Sequence, residues 1–107
     1  MALFLAILAT GLHGVVMRGP ITPVCMVGKP CSEPATGVVL IFSRDGHDVA
    51  RARTSTRGRY TVALAPGRYA VRLPTAPKIG SGLTPRAVSV PRGGSAVLDF
   101  RIDTGIR

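Results

Sequence analysis

At 107 residues the chain has room for one small domain with a modest core. Thirteen Gly and nine Pro, spread so that no dozen residues beyond the N-terminus lacks one, exclude long helices, and 46% hydrophobic residues exclude disorder. The formal net charge of +9, from twelve Arg and two Lys against five acids, favours polyanions, but no Lys/Arg run, aromatic interleaving or nucleic-acid motif points to specific nucleic-acid recognition.

The chain opens on Ala2 to Ala9, eight consecutive apolar positions. A transmembrane helix needs roughly 20, so the run is too short to span a bilayer. It has the length of a signal-peptide core, with Ala9 and Gly11 spaced as at a cleavage site, although no Lys or Arg precedes it. Residues 1–12 are therefore expected to be an export signal and residues 13–107 the folded domain. The competing reading makes the run a first strand or a short buried helix.

Gly14 to Arg18 reads as the first strand. Pro20 and Pro23 then bar a central ladder position. Cys25 and Cys31 follow in a loop rich in Pro and Gly. Their spacing is not that of a redox pair, and zinc would need further ligands where only His13 and His47 exist. A disulfide between Cys25 and Cys31 is expected if the chain is exported, contributing about 2 kcal/mol by loop-closure entropy.

Val38 to Phe42 is an unbroken apolar run, which suggests a central strand covered on both faces. Asp45-Gly46 is the strongest hairpin signal in the chain, and His47 to Arg53 after it has the weak alternation of an outer strand. His47 and Asp48 beside Asp45 offer an acid–base or metal cluster, though such clusters usually only build the turn.

Tyr60, Val62 and Leu64 alternate with Arg59, Thr61 and Ala63, and Tyr69, Val71 and Leu73 alternate with Arg68, Ala70 and Arg72. That period of two predicts two half-buried strands, and Pro66-Gly67 between them suits a tight turn, so an antiparallel hairpin is expected. Residues 74–85 carry three prolines and two glycines and read as the longest irregular loop. Short strands follow at Arg86 to Val90 and at Ala96 to Ile102. Tyr60, Tyr69, Phe42 and Phe100 should meet in the core.

Seven short strands with turn signals between them predict an all-β fold, an antiparallel seven-stranded β-sandwich of Greek-key type, preceded by the short apolar segment. On solvent faces, Arg51, Arg53, Arg59, Arg68 and Arg72 would line up as a stripe, the candidate polyanion-binding site. No Ser lies in a nucleophile-elbow context, and no Cys–His pair or carboxylate dyad stands out.

The run T-x-x-x-G-R-Y-x-V-x-L-x-P-G-x-Y-x-V from Thr54 to Val71, after a Val-rich strand and Asp45-Gly46, resembles the carboxypeptidase regulatory-like domains. These are also called transthyretin-like or prealbumin-like and are related to Cna B-type surface modules. The likeness spans about Gly14 to Ile102, and the GPITPVC…PC and DTGIR segments resemble small exported proteins of actinobacterial, high-GC type. It implies a non-catalytic sandwich, secreted or at the cell surface, used for adhesion, scaffolding or accessory binding.

This chain departs from the catalytic and cross-linked relatives. Transthyretin-like hydroxyisourate hydrolases end in Tyr-Arg-Gly-Ser and use paired histidines, whereas this chain ends in DTGIR and has only His47 beyond the expected signal and His13 at its border. An isopeptide of the Cna B kind needs a Lys, a carboxyl or amide partner and a Glu apposed on strands. Here Glu33, Lys29 and Lys78 all fall in expected loops. The expected function is thus an exported binding or structural module without a cofactor or metal, whose partner is a cell-surface polymer or protein. The alternative is an Arg-rich module for acidic glycan, anionic lipid or nucleic acid.

Overall fold

A computed structural model describes residues 10–74 and 82–104. The described residues form ten strands: β1 (Gly11–Gly19), β2 (Glu33–Pro34), β3 (Val39–Arg44), β4 (His47–Arg53), β5 (Arg59–Ala63), β6 (Gly67–Arg72), β7 (Gly82–Thr84), β8 (Ala87–Val90), β9 (Ser95–Val97) and β10 (Phe100–Asp103). They make two sheets with the core between them, a β-sandwich.

In the first sheet β1 has partners on both edges. Along one edge it runs antiparallel to β5 over Gly11–Val15 and then to β2 over Met17–Arg18. Along the other it runs parallel to β9 over Gly11–His13 and to β10 over Val16–Gly19, and β7 closes that side against β10. Leu12 and Val16 point inward and are buried, as the period of two requires. The second sheet has the order β4-β3-β6-β8. β3 is one of its two inner strands, with Leu40, Ile41 and Phe42 all buried. Asp45 (φ 52°) and Gly46 (φ 81°) both take positive φ at the β3–β4 turn, as the tightest hairpin turn demands. A bulge shifts the register after Phe42, so that Phe42 faces Ala50 and Ser43 faces Asp48.

Several expectations are corrected. Among the described residues the strands number ten, and β1 pairs in parallel with β9 and β10, so the fold is not a wholly antiparallel seven-stranded one. The Tyr60 and Tyr69 strands do not form a hairpin, since β5 pairs with β1 and β6 with β3 and β8. Leu64 to Pro66 carries the chain from one sheet to the other. It is anchored where Leu64 N donates to the Thr10 carbonyl at 3.1 Å and Thr10 Oγ1 donates to the Leu64 carbonyl at 2.6 Å. Both alternating sets do reach one core, from opposite layers.

The boundary expected after residue 12 falls inside β1, where Leu12 is buried. Residues 1–9, which hold the apolar run, lie outside the described residues. So do residues 75–81 of the expected loop, whose end carries β7.

Phe100 packs edge-on against Phe42 of the other sheet at 6.4 Å and, tilted, against Tyr60 at 5.5 Å. Tyr69 is buried in the same core, beneath Arg44 (5.5 Å from guanidinium to ring centroid), with its hydroxyl donating to the Ala65 carbonyl at 2.5 Å. All four aromatic side chains therefore belong to the one core, as expected, with Tyr69 at its crossover end and each tyrosine hydroxyl bonded to a carbonyl.

Between β9 and β10 the ladder is interrupted while its register with β1 is kept. Leu98 N donates to the His13 carbonyl at 2.9 Å, so a regular parallel ladder would next send Val15 N to the Leu98 carbonyl. Instead Asp99 Oδ1 accepts from Val15 N at 2.9 Å. The Leu98 carbonyl, released from the ladder, accepts from the Tyr60 hydroxyl at 2.5 Å and leans over Gly14. A Cβ on Gly14 would stand 2.2 Å from that carbonyl oxygen.

Gly14→Ala should therefore destabilise the fold by about 2 kcal/mol or more, read as a fall in the urea midpoint. Burial, and after it the Asp99 charge, holds the Tyr60 phenol well above its ordinary range. The folded chain then keeps a proton that the unfolded chain releases above about pH 10, so this stability is complete below that pH and declines as pH rises. Tyr60→Phe should start about 1 kcal/mol less stable, with the Leu98 carbonyl unpaired. It should also lose less stability than wild type between about pH 9 and 11, measured by urea unfolding at each pH.

Candidate functional site

The structure separates the five arginines of the expected stripe. Arg51 and Arg53 on β4 and Arg68 and Arg72 on β6 are exposed on the outer face of the second sheet. Arg59 lies on β5, on the outside of the opposite sheet, opposite Val15 in register. The crossover at Leu64 to Pro66 is the reason: a hairpin would have kept Arg59 beside Arg68 and Arg72.

The four that remain do not form a bare cationic strip. Ile41 on β3 faces outward between Arg51 and Arg72 in register, yet it is only 2% exposed. The aliphatic stems of long side chains flanking such a residue cover it while their charged ends stay in water. Arg72 also forks onto Asp48, Nη1 to Oδ1 at 2.7 Å and Nη2 to Oδ2 at 2.8 Å. That bidentate bond holds the Asp48 carboxyl below its usual range and raises Arg72, so the pair stays ionised through ordinary pH. Arg53 donates to the Gly37 carbonyl at 3.3 Å.

His47 opens β4, exposed and paired in register with Arg44, a cation. The adjacent Asp48 turns to Arg72. Among the described residues no group of three His, Cys, Asp or Glu side chains could hold a metal ion. No helix among them is long and apolar enough to cross a membrane.

A second feature lies in the connection from β1 to β2. Cys25 and Cys31 are joined by a disulfide, Cα to Cα 5.4 Å. Ile21 N donates to the Cys31 carbonyl at 2.9 Å at the base of this loop, and Lys29 N to the Met26 carbonyl at 3.2 Å near its tip. Thr22 Oγ1 donates to the Val24 carbonyl at 2.8 Å, and Gly28 turns the chain at a φ of 81°. Residues 22–30 are all exposed, among them Val24 (70%), Met26 (61%) and Val27 (104%). The staple is directly legible in the sequence, whereas the exposure of these side chains is not. Their signal was apolar residues placed between prolines and cysteines, where no core strand can form.

No protein-family profile matches the chain, and no curated protein matches it. Its fold is shared by solved structures, among them the following three. One is the minor pilin GBS52 of Streptococcus agalactiae, with 15% identity and a TM-score of 0.54 over 90% of this chain and 45% of that one. Another is the TIE protein of Bacillus anthracis, with 23% identity and a TM-score of 0.55 over 89% of this chain and 16% of that one. The third is a DUF3823 family protein of Parabacteroides merdae, with 15% identity and a TM-score of 0.53 over 89% of this chain and 46% of that one. The likeness is one of fold. The chain spans less than half the length of each.

The charge arrangement generates a directional expectation for salt-gradient elution from a sulfated polysaccharide resin. Asp48→Asn, which frees Arg72, should elute at higher salt than wild type, and Arg51→Ala with Arg68→Ala at lower salt. Arg59→Ala should shift elution less than either Arg51→Ala or Arg68→Ala if the second sheet's outer face makes the contact. Equal shifts at all three positions would reduce the effect to net charge.

Proposed function

We propose that this chain is a non-catalytic binding or structural module that acts outside the cell or on its surface. The observation that carries the reading is the stapled loop, because a disulfide between an exposed Cys25 and a half-buried Cys31 persists in an oxidising compartment. The fold it shares with part of a streptococcal pilin supports the same address. So does the resemblance of Thr54 to Val71 to carboxypeptidase regulatory-like and Cna B-type modules, which we propose as its relatives.

In this reading the apolar run at 2–9 is the export signal. A removable part that ends before Thr10 is the boundary this reading takes, supported by the bonds between Thr10 and Leu64 in both directions and by Leu12 in the core. The partner is a surface polymer or protein. A second reading, a polyanion contact on the outer face of the second sheet, is favoured by the four arginines that share it. The Asp48–Arg72 pair and the cover over Ile41 weigh against it.

Intact mass of the chain recovered from the medium of expressing cells tests the first reading. The expected species lacks about the first nine residues and gains about 2 Da when the disulfide is reduced to two thiols. A full-length chain with free thiols, retained in the cytosol, would overturn it.

A further inference from the structure

We propose that the stapled loop is a membrane-contact tip, which inserts Val24, Met26 and Val27 into the headgroup region of an anionic bilayer with Lys29 at the lipid surface. Single exposed apolar residues are ordinary on any protein. Here three fall within four positions at the end of one loop, and no other part of the described structure covers them. They are not loose either: the disulfide, the bond from Ile21 to Cys31 and the turn from Met26 to Lys29 hold the tip in shape before any partner arrives. A preformed loop loses less conformational freedom on binding than a slack one.

The size and form of the tip favour a lipid surface over a protein. Stable protein interfaces bury about 1,200–2,000 Å² with matched shapes, which three side chains on a convex loop do not supply alone. A bilayer needs no shape complement. Its attraction grows with the apolar surface inserted and with the number of cations held at anionic headgroups.

The charges at this end of the sandwich fit the second requirement. From Gly19 to Ser32 the chain carries Lys29 and no acid. The same end holds Arg53, where β4 finishes, and Arg57, in the turn before β5. Arg53 donates to the Gly37 carbonyl and the Thr36 hydroxyl donates to the Thr56 carbonyl, in the connection that follows β2. Of the acids there, Glu33 is engaged by Arg18 at 2.7 Å, and Asp103 ends β10. The inference concerns the loop and does not need the export signal, so the vesicle result and the secreted mass can fail separately.

Co-sedimentation of the purified oxidised chain with vesicles tests it. One set is phosphatidylcholine alone, and the other contains about a third phosphatidylglycerol. The chain should bind the mixed vesicles, and the triple variant Val24→Ser, Met26→Ser, Val27→Ser should bind them about tenfold or more weakly at the same salt. Lys29→Glu and reduction of the disulfide should each weaken binding several-fold. All three apolar residues are exposed, so the triple variant should unfold at the same temperature as wild type, which a melt verifies.

Equal binding by the triple variant would mean adsorption through the arginine faces and overturn the proposal. A wild-type chain that ignores the mixed vesicles would overturn it too. So would a homodimer that the triple substitution dissociates, for the tip would then be a protein contact.

Discussion

Everything in the fold leans on β1 having both of its edges filled. A strand between two others must place its backbone donors and acceptors within the protein, since water cannot reach them. β1 does so against four partners, exchanging β5 for β2 on one side and β9 for β10 on the other. The changes occur at nearly the same level. Val16 N donates to the Gly58 carbonyl at 2.7 Å and its carbonyl accepts from Ala35 N at 2.9 Å, while one residue earlier Val15 N is met by the Asp99 side chain. A carboxylate thus stands where a backbone carbonyl would, and the carbonyl it replaces is spent on the Tyr60 hydroxyl. Gly14 is the residue that leaves room for this.

What the sequence made legible was facing, and what it concealed was pairing. Alternation at Tyr60–Leu64 and Tyr69–Leu73 says which side chains go inward, and all of those fully buried do enter one core. The same pattern with a turn between suits a hairpin within one sheet or a crossing between two. Only contacts distant in sequence decide, and here the decisive one is the mutual bonding of Leu64 with Thr10, fifty-four residues apart. The misplaced Arg59 follows from that single choice. Asp45-Gly46 was readable because its turn is a local backbone demand, while Asp99 could not be read because its role depends on a strand 84 residues away.

The loop was half legible for a related reason. Two cysteines in a short chain state a pairing directly, with no alternative partner to weigh. Exposure is a statement about everything else in the molecule. Val24, Met26 and Val27 add to the hydrophobic count that argued for a core, and nothing local marks them as excluded from it.

The position of the disulfide is itself informative. In a domain of this size a cross-link between the sheets, or between distant strands, would remove most freedom from the unfolded chain. This one joins cysteines six apart, within an exposed loop that adds no residue to the hydrophobic cluster. The entropy it removes is that of a short loop, and the sheets dock without it. Its largest effect is therefore local: it fixes the shape of a tip that the core does not shape. A covalent staple spent on such a segment makes sense where the presented surface, and not the fold beneath it, is what must be kept in order.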